Sequence, residues 1–354
     1  MKSTLKKLLS NENKQKLKDT HRQLDEKLVN VFKKSRIGSS FYYFALSRKF
    51  DREHQAVLNG RAAYVDSLNS IDDSSVLLRR NTHRLEKGLI MRPRREVFAK
   101  DYILETVECY KKCLNANICS QELDWAHDVL TDYFAAVNTS EPTLAGAHEV
   151  FRQCNAREYQ RQVPYTRLNL QKSDVSFEQL KALAVQRRSV RWYQDKPVEL
   201  EKIEQAVEVA TLAPSACNRQ PFEFHTVIDQ DFATNVAKCA MGTAGFADNI
   251  PALITVVGDL SAYPQEKDRH VIYIDGALAS MQLMMALETL GLSSCPINWP
   301  DIEFYEKKLD KRLKLKSHQR PIMMIAVGYA DDEGAIPFSQ KKSPNKLIKL
   351  ITSN

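Results

Sequence analysis

The pattern of apolar residues changes near Ser176, and this change constrains the fold of the 354-residue chain more than any other feature. Before Ser176, apolar residues recur at helical spacing and β-branched runs are few. After it, helical segments alternate with short apolar runs such as ALITVVG at 252–258, which suits a buried strand. We therefore expect an all-helical N-terminal region at 1–170 and an α+β domain at 171–354, joined by the polar run near 171–174.

Individual elements follow from local signals. Gly88 is predicted to end a helix, and Gly291 is predicted at the position after another helix. Ser176 with Gln179 forms a capping box, which predicts a helix start. The predicted helices are 14–34, 41–58, 76–88, 97–118, 121–137, 145–159, 176–186, 199–211 and 275–290. The predicted strands are 222–228, 252–258, 295–299 and 322–329.

Charge is unevenly distributed along the chain. The net charge of +7 is modest for this length and does not predict nucleic-acid binding. Residues 1–55, however, hold 14 Lys and Arg against six Asp and Glu. This segment is either a solvated, partly helical tail or a weak basic contact for a membrane surface or an acidic partner.

The cysteines and the N-terminus predict a cytoplasmic protein. No apolar run with a cleavage site follows Met1, so no secretory signal is predicted. The seven cysteines are odd in number and contain no C-x-x-C pair, which favours reduced thiols. Cys109 and Cys113 lie one helical turn apart, but no histidine lies at ligand spacing, so no metal site is predicted.

Two polar motifs flank one predicted helix. The first is a cationic cluster around a serine. Arginine offers phosphate a planar, permanently charged pair of donors, and a serine hydroxyl adds another. The second is a turn in which two prolines bracket short polar side chains and so hold them in place. Together they suit a ligand with a phosphate at one end and a polar ring at the other. The first motif comprises Arg187, Arg188, Ser189 and Arg191; the second comprises Pro214, Ser215, Asn218, Gln220 and Pro221.

Over residues 176–350 the chain resembles the nitroreductase-type flavoprotein family. Four segments match in the family's order: RRSVRWY at 187–193, APSACNRQPF at 213–222, ADNIPALITVVGD at 247–259 and GALASMQLMMALETLGLSSCPINW at 276–299. The resemblance implies a central, mostly antiparallel sheet flanked by helices. It also implies a homodimer with flavin mononucleotide (FMN) at the interface.

The resemblance also implies a division of roles. Arg187 and Ser189 would bind the FMN phosphate, with Arg188 beside them. Arg191 would reach the pyrimidine edge, where a cation stabilises the charge that collects on reduction. The turn at 214–221 would contact the flavin of the partner subunit.

Two further segments are implied to contact the flavin. Pro296, Ile297 and Asn298 would pass flat against the ring, with the Asn298 amide donating to N5. Trp299 is then either a core residue or part of the pocket over the ring. A basic residue near the C-terminus would close on the phosphate, Lys342 by preference and Lys341 as the alternative. Alternatively, both lysines are simply solvated.

The implied activity is hydride transfer from NAD(P)H through flavin N5 to a small organic acceptor by a ping-pong mechanism. No G-x-G-x-x-G or G-x-x-x-x-G-K-[ST] motif is present, so a Rossmann site for NAD(P)H is not expected. NAD(P)H would instead be a transient co-substrate, and no catalytic side chain is nominated. The alternative is a non-catalytic flavin-binding protein that docks through its basic N-terminus. The helical region could be a docking module, a lid over the flavin, or a scaffold that widens the dimer interface.

Overall fold

A computed structural model describes residues 11–71, 74–116, 118–154 and 157–352 of the chain. The chain divides into two compact units, Met1–Ala56 and Val57–Asn354. The boundary expected near residue 170 separates an all-helical region from an α+β domain, whereas this division separates compact units. The expected boundary therefore stays a prediction.

From Asn11 onward, the first unit is mainly helical. Helix α1 spans Asn11–Phe32 and α2 spans Arg36–Phe41, followed by a π-helical turn at Tyr42–Ser47. The continuous helix predicted over 41–58 is interrupted, because Arg48 is left-handed with φ 56°. Helix α3 (Asp51–Ser67) begins after this break and continues into the second unit.

Four helices form the N-terminal part of the second unit and share one core. Gly88 lies inside the first of them and does not end it, which corrects the prediction. A Cβ at Gly88 would lie 2.1 Å from the Phe98 ring, so close packing explains the glycine. These helices are α4 (Val76–Leu89), α5 (Ile103–Cys113), α6 (Ser120–Ala136) and α7 (Pro142–Arg152).

The C-terminal part contains a four-stranded sheet in the order β1-β2-β4-β3, with every neighbouring pair antiparallel. The predicted α+β class, with an antiparallel sheet preceded by a helical region, is confirmed. Strand β3 lies at one edge, and both central strands are almost wholly buried. The strands are β1 (Phe222–Val227), β2 (Ala252–Asp259), β3 (Ser293–Asn298) and β4 (Gln319–Gly328).

The described residues of the C-terminal part also contain six α-helices. The capping box of Ser176 and Gln179 is confirmed, as is Gly291 with φ 77° after the last turn of its helix. Three of the six are not predicted from the sequence: one has only eight residues, one is highly charged, and the last has only four residues. The helices are α8 (Phe177–Gln186), α9 (Leu200–Thr211), α10 (Gln230–Ala237), α11 (Val271–Thr289), α12 (Glu303–Leu313) and α13 (Pro344–Leu347).

The sheet separates two apolar clusters, one on each face, and successive residues of a strand belong alternately to one cluster and the other. Leu253 packs with α10 and α12 on one face, whereas Ile254 packs with α9 and α11 on the other. Among the described residues, only Glu266–Thr289 is long and apolar enough to cross a membrane by length and composition. Half of its apolar window is buried, and its α11 part forms one layer of this core.

Candidate functional site

The segment that carries the arginine motif is attached to the edge strand of the sheet. Ser189 forms a parallel bridge with Ser294 of β3, and the Val190 amide donates to the Ser294 carbonyl at 3.1 Å. The Tyr193 hydroxyl donates to the Val190 carbonyl at 2.7 Å. The backbone of the motif is therefore held by the sheet, which leaves its cationic side chains available for a ligand.

Asn249 fixes the far end of the same segment. Its Oδ1 accepts from the Tyr193 amide at 2.7 Å, and its Nδ2 donates to the Tyr193 carbonyl at 3.1 Å. Burial raises the pKa of Tyr193, so its phenol stays protonated and remains a donor. The asparagine in the ADNIP motif is thus a support for the arginine segment.

A cavity of about 460 Å³ opens beside this segment, within the range of small-molecule sites. One wall is α8 and the other is the segment from Ile336 to Lys341. Among the residues that the structure describes, five cationic side chains and no carboxylate line it, a set that suits an anion. The cations are Lys181, Arg187, Arg188, Arg191 and Lys341.

Two buried polar atoms near the motif have no hydrogen-bond partner: Nε of Arg187 and Oγ of Ser294. Buried donors are normally satisfied, and one left unpaired costs about 1–3 kcal/mol. Arg187 lines the cavity, and Ser294 is bridged to Ser189, which also lines it. An anionic ligand with several acceptor oxygens would satisfy the Arg187 guanidinium. The residues present therefore fit a phosphate group.

A second cavity, of about 540 Å³, adjoins the first, because Arg191 lines both. Its walls are mostly apolar and include Phe246, whose ring lies 5.8 Å from the Arg191 Cζ. Burial raises the pKa of the Cys295 thiol, although Arg191 and Arg187 act in the opposite direction. One cavity suits an anion, and the other suits a planar ring beside a cation.

Pro296, Ile297 and Asn298 all line this second cavity. Asn298 is exposed at the end of β3. Trp299 is only 9% exposed and belongs to the core cluster on that face of the sheet. The core interpretation of Trp299 therefore holds, and the pocket interpretation does not.

The two C-terminal lysines differ in position. Lys341 lines the first cavity, whereas Lys342 is not among its walls, and both are exposed. The position of the cavity thus favours Lys341, the alternative candidate, over Lys342, the preferred one. Whether either contacts a phosphate stays a prediction.

The turn at 214–221 lies apart from these cavities, since none of its residues lines either one. Ser215 and Asn218 are half-buried, as is Gln220. Cys217, Asn218 and Gln220 have positive φ angles of 54°, 51° and 50°. The chain alone therefore brings together the cradle at 187–191 and the segment at 296–298, but not the turn.

Several residues of the site are not identified from the sequence. Ser294 lies in the matched segment 276–299 but is not nominated as a site residue, because only the bridge to Ser189 shows its place beside the arginine motif. Phe246 and Met241 come from a loop whose conformation the sequence does not specify. Lys181 lies on α8, seven residues or about two helical turns before Arg188, and this spacing could have revealed it. Within the described ranges, no three His, Cys, Asp or Glu side chains form a group that could hold a metal ion.

The family model described as the nitroreductase family matches residues 184–329. A protein from Archaeoglobus fulgidus, named an NADH dehydrogenase/NAD(P)H nitroreductase, is 30% identical over 149 residues. The match covers 42% of this chain and 83% of that protein. The chain belongs to the nitroreductase family.

Other relatives carry different names. An FMN reductase (NAD(P)H) from Bacillus subtilis is 27% identical, over 42% of this chain and 64% of that protein. An iodotyrosine deiodinase from Thermotoga neapolitana is also 27% identical, over 42% of this chain and 88% of its own length. These names include both reductases and a deiodinase, so family membership identifies the kind of domain and not the substrate.

Proposed function

We propose that the chain is an FMN-dependent oxidoreductase that takes hydride from NAD(P)H and passes it to a small organic acceptor by a ping-pong mechanism. The observation that carries the proposal is the unpartnered Nε of Arg187 in a cavity whose described lining includes five cations and no acid. Family membership and the name of the Bacillus subtilis relative support FMN as the ligand.

Arg187, Ser189 and Lys341 would hold the phosphate of FMN, with Arg188 and Lys181 adding positive charge. A guanidinium can give a phosphate two parallel hydrogen bonds, whereas the lysines contribute charge without that geometry. The β3 edge and Asn249 fix the backbone of this segment before any ligand binds, which reduces the entropic cost of binding.

Arg191 stands between the two cavities and would lie at the pyrimidine edge of the ring. When bound, FMN supplies hydride acceptance at N5 and hydride donation to the acceptor. A permanent cation at the pyrimidine edge favours the reduced, negatively charged form. Asn298, at the exposed end of β3, would present its backbone amide to the ring, since alternate amides of an edge strand are free of the sheet.

NAD(P)H and the acceptor would occupy the second cavity one after the other. Met241, Phe246 and Ile302 give it an apolar surface on which a flat ring can pack. The protein's part in this step is to exclude water and to position the reactants.

The site would be completed by a second copy of the chain. The turn at 214–221 contacts neither cavity within one chain, and the family resemblance assigns it to the partner's flavin. Exposed apolar side chains on α11, namely Ile274, Leu278 and Met281, offer a surface for such a contact. We expect a homodimer, with a mass near twice 40.5 kDa by light scattering.

The test is anaerobic reduction of the purified chain after loading with FMN. Released cofactor is identified by mass spectrometry, and NADH and NADPH are added in separate cuvettes. The proposal expects loss of the flavin absorbance with at least one of them, and its return on adding a quinone or a nitroaromatic acceptor.

Two other results would contradict the proposed activity. Binding of FMN without bleaching by either nucleotide would favour the alternative, a non-catalytic flavin protein that docks through its basic N-terminus. No FMN binding at all would contradict both functions.

A further inference from the structure

Arg79, on helix α4 of the helical region, contacts the turn at 214–221. Its Nε donates to the Asn218 carbonyl at 3.1 Å, and its Nη2 donates to Oε1 of Gln220 at 3.1 Å. Two nitrogens of one guanidinium thus bind two different points of the turn. The family match begins only at residue 184, so this contact comes from outside the matched segment.

Arg79 is itself firmly positioned. Its Nη1 donates to Oε2 of Glu122 at 3.1 Å, and Glu122 is only 5% exposed. The other oxygen of Glu122 accepts from the Ser75 amide at 2.9 Å. The Arg79 guanidinium also lies 5.6 Å from the centre of the Trp125 ring. The turn is therefore attached to a rigid part of the helical core.

The backbone of the turn requires such support. Cys217, Asn218 and Gln220 all have φ between 50° and 54°, a region that costs a non-glycine residue about 1–2 kcal/mol. Strained conformations of this kind persist only where the surroundings fix them. Within the C-terminal part, Gln220 Nε2 donates to the Thr211 carbonyl at 2.7 Å. Arg79 holds the opposite side of the same side chain.

A second contact fixes the helical region to the C-terminal part. Gly60 of α3 lies against Leu260, where an added Cβ would come within 2.6 Å of the leucine Cβ. Arg61 pairs with Glu266 at 3.2 Å. Two helices, α3 and α4, thus contact loops of the C-terminal part.

We propose that Arg79 is a positioning residue of the flavin site. It holds the turn at 214–221 in the conformation that contacts the flavin, which makes helix α4 a part of that site. This role rests on the proposed function, because it assumes that the turn meets FMN. It also gives the helical region a specific task, distinct from being a lid or a docking module.

The variant for the test is Arg79→Met combined with Glu122→Gln. The methionine removes both contacts to the turn. The glutamine removes the negative charge that would otherwise be left buried, and it keeps an oxygen for the Ser75 amide. Arg84→Met is the matched control, because Arg84 lies on the same helix but stacks on Tyr102 at 3.6 Å. Glu122→Gln alone is the second control.

Two measurements are made on the full-length variants. The first is the Kd for FMN, from quenching of flavin fluorescence. The second is amide hydrogen exchange of the apo chain, read on peptides that cover 214–221 and on peptides that cover β2. We expect the double variant to lose about tenfold in FMN affinity, the scale of one or two net hydrogen bonds. Its turn should exchange at least fivefold faster, with β2 unchanged.

The outcomes separate this proposal from the proposed function. An FMN affinity within twofold of the wild type, or unchanged exchange in the turn, would overturn the role of Arg79. Faster exchange across β2 as well would indicate general loss of structure and would also count against a specific role. If the wild type binds no FMN, the proposed function fails and the flavin role of Arg79 fails with it, while the exchange data still decide whether Arg79 holds the turn.

Discussion

Asp275 accepts two hydrogen bonds from the start of the polar turn: the Ser215 hydroxyl donates at 2.7 Å and the Ala216 amide at 2.9 Å. Asp275 lies on α11 and is only 3% exposed. The turn at 214–221 is therefore tied at its beginning to the central helix of the core, and near its end to Arg79. Neither attachment is visible in the sequence, because the partners are about 60 and 140 residues away.

Replacing Asp275 with alanine is expected to destabilise the fold by about 1–3 kcal/mol, since two donors lose their acceptor at a buried site. The loss is measured as a lower urea midpoint at an unchanged slope. Asp332→Ala is the control, because Asp332 is an exposed aspartate in the turn after β4. If the two variants had the same midpoint, the support assigned to Asp275 would be excluded.

A stronger effect is expected at Arg320, on β4. Arg320 is 3% exposed and its Nε lies 2.7 Å from Oε1 of Glu306, which is fully buried. Arg320→Met removes the cation beside that buried carboxylate and should cost about 3–5 kcal/mol. Adding Glu306→Leu should recover much of this loss, because the buried negative charge is then absent. A double variant that is no more stable than Arg320→Met would contradict this account of the pair.

The fold class follows from residue patterns more readily than the site does. The strand at 252–258 is predicted because a buried central strand is a continuous apolar run. Helix α10 has only eight residues and helix α12 is highly charged, so neither gives a strong signal in the sequence, and both pack against the sheet. The prediction that Gly88 ends a helix is wrong because the glycine is required by the nearby Phe98 ring. Only the tertiary structure brings that ring close.

The residues of the site also fall into two groups, those that the sequence identifies and those that only the tertiary structure reveals. The arginine motif and the segment at 296–298 are identified from sequence, because charge and motif order are local properties. Ser294, Asn249 and Arg79 act through contacts across the fold, which no local pattern specifies. The choice between Lys341 and Lys342 also depends on the path of the chain after Gly334, and that path places Lys341 at the cavity.

Stability should decline in alkaline solution partly because of two buried thiols. Burial raises the pKa of Cys239 and of Cys295, so the folded chain keeps their protons at a pH where the unfolded chain loses them. Their contribution is complete below the thiol pKa of the unfolded state, about 8.5, and is lost as the pH rises through the folded values.

The check is urea unfolding between pH 7 and pH 10 under reducing conditions. The double variant Cys239→Ala/Cys295→Ala should be less stable at pH 7, because two buried side chains are shortened. Its stability should also change less with rising pH than that of the wild type. Equal slopes for the two proteins would show that these thiols do not titrate differently on folding.

The central claim is that Arg187 binds the phosphate of FMN, and titration of the apo chain with FMN tests it most directly. Arg187→Met is compared with the wild type and with Arg312→Met, which changes an exposed arginine on α12. We expect Arg187→Met to weaken binding by about 1.5–3 kcal/mol, or roughly 10- to 150-fold, and Arg312→Met to leave it unchanged. Equal FMN affinity in the Arg187 variant and the wild type would contradict the account, as would a wild-type chain that binds no FMN.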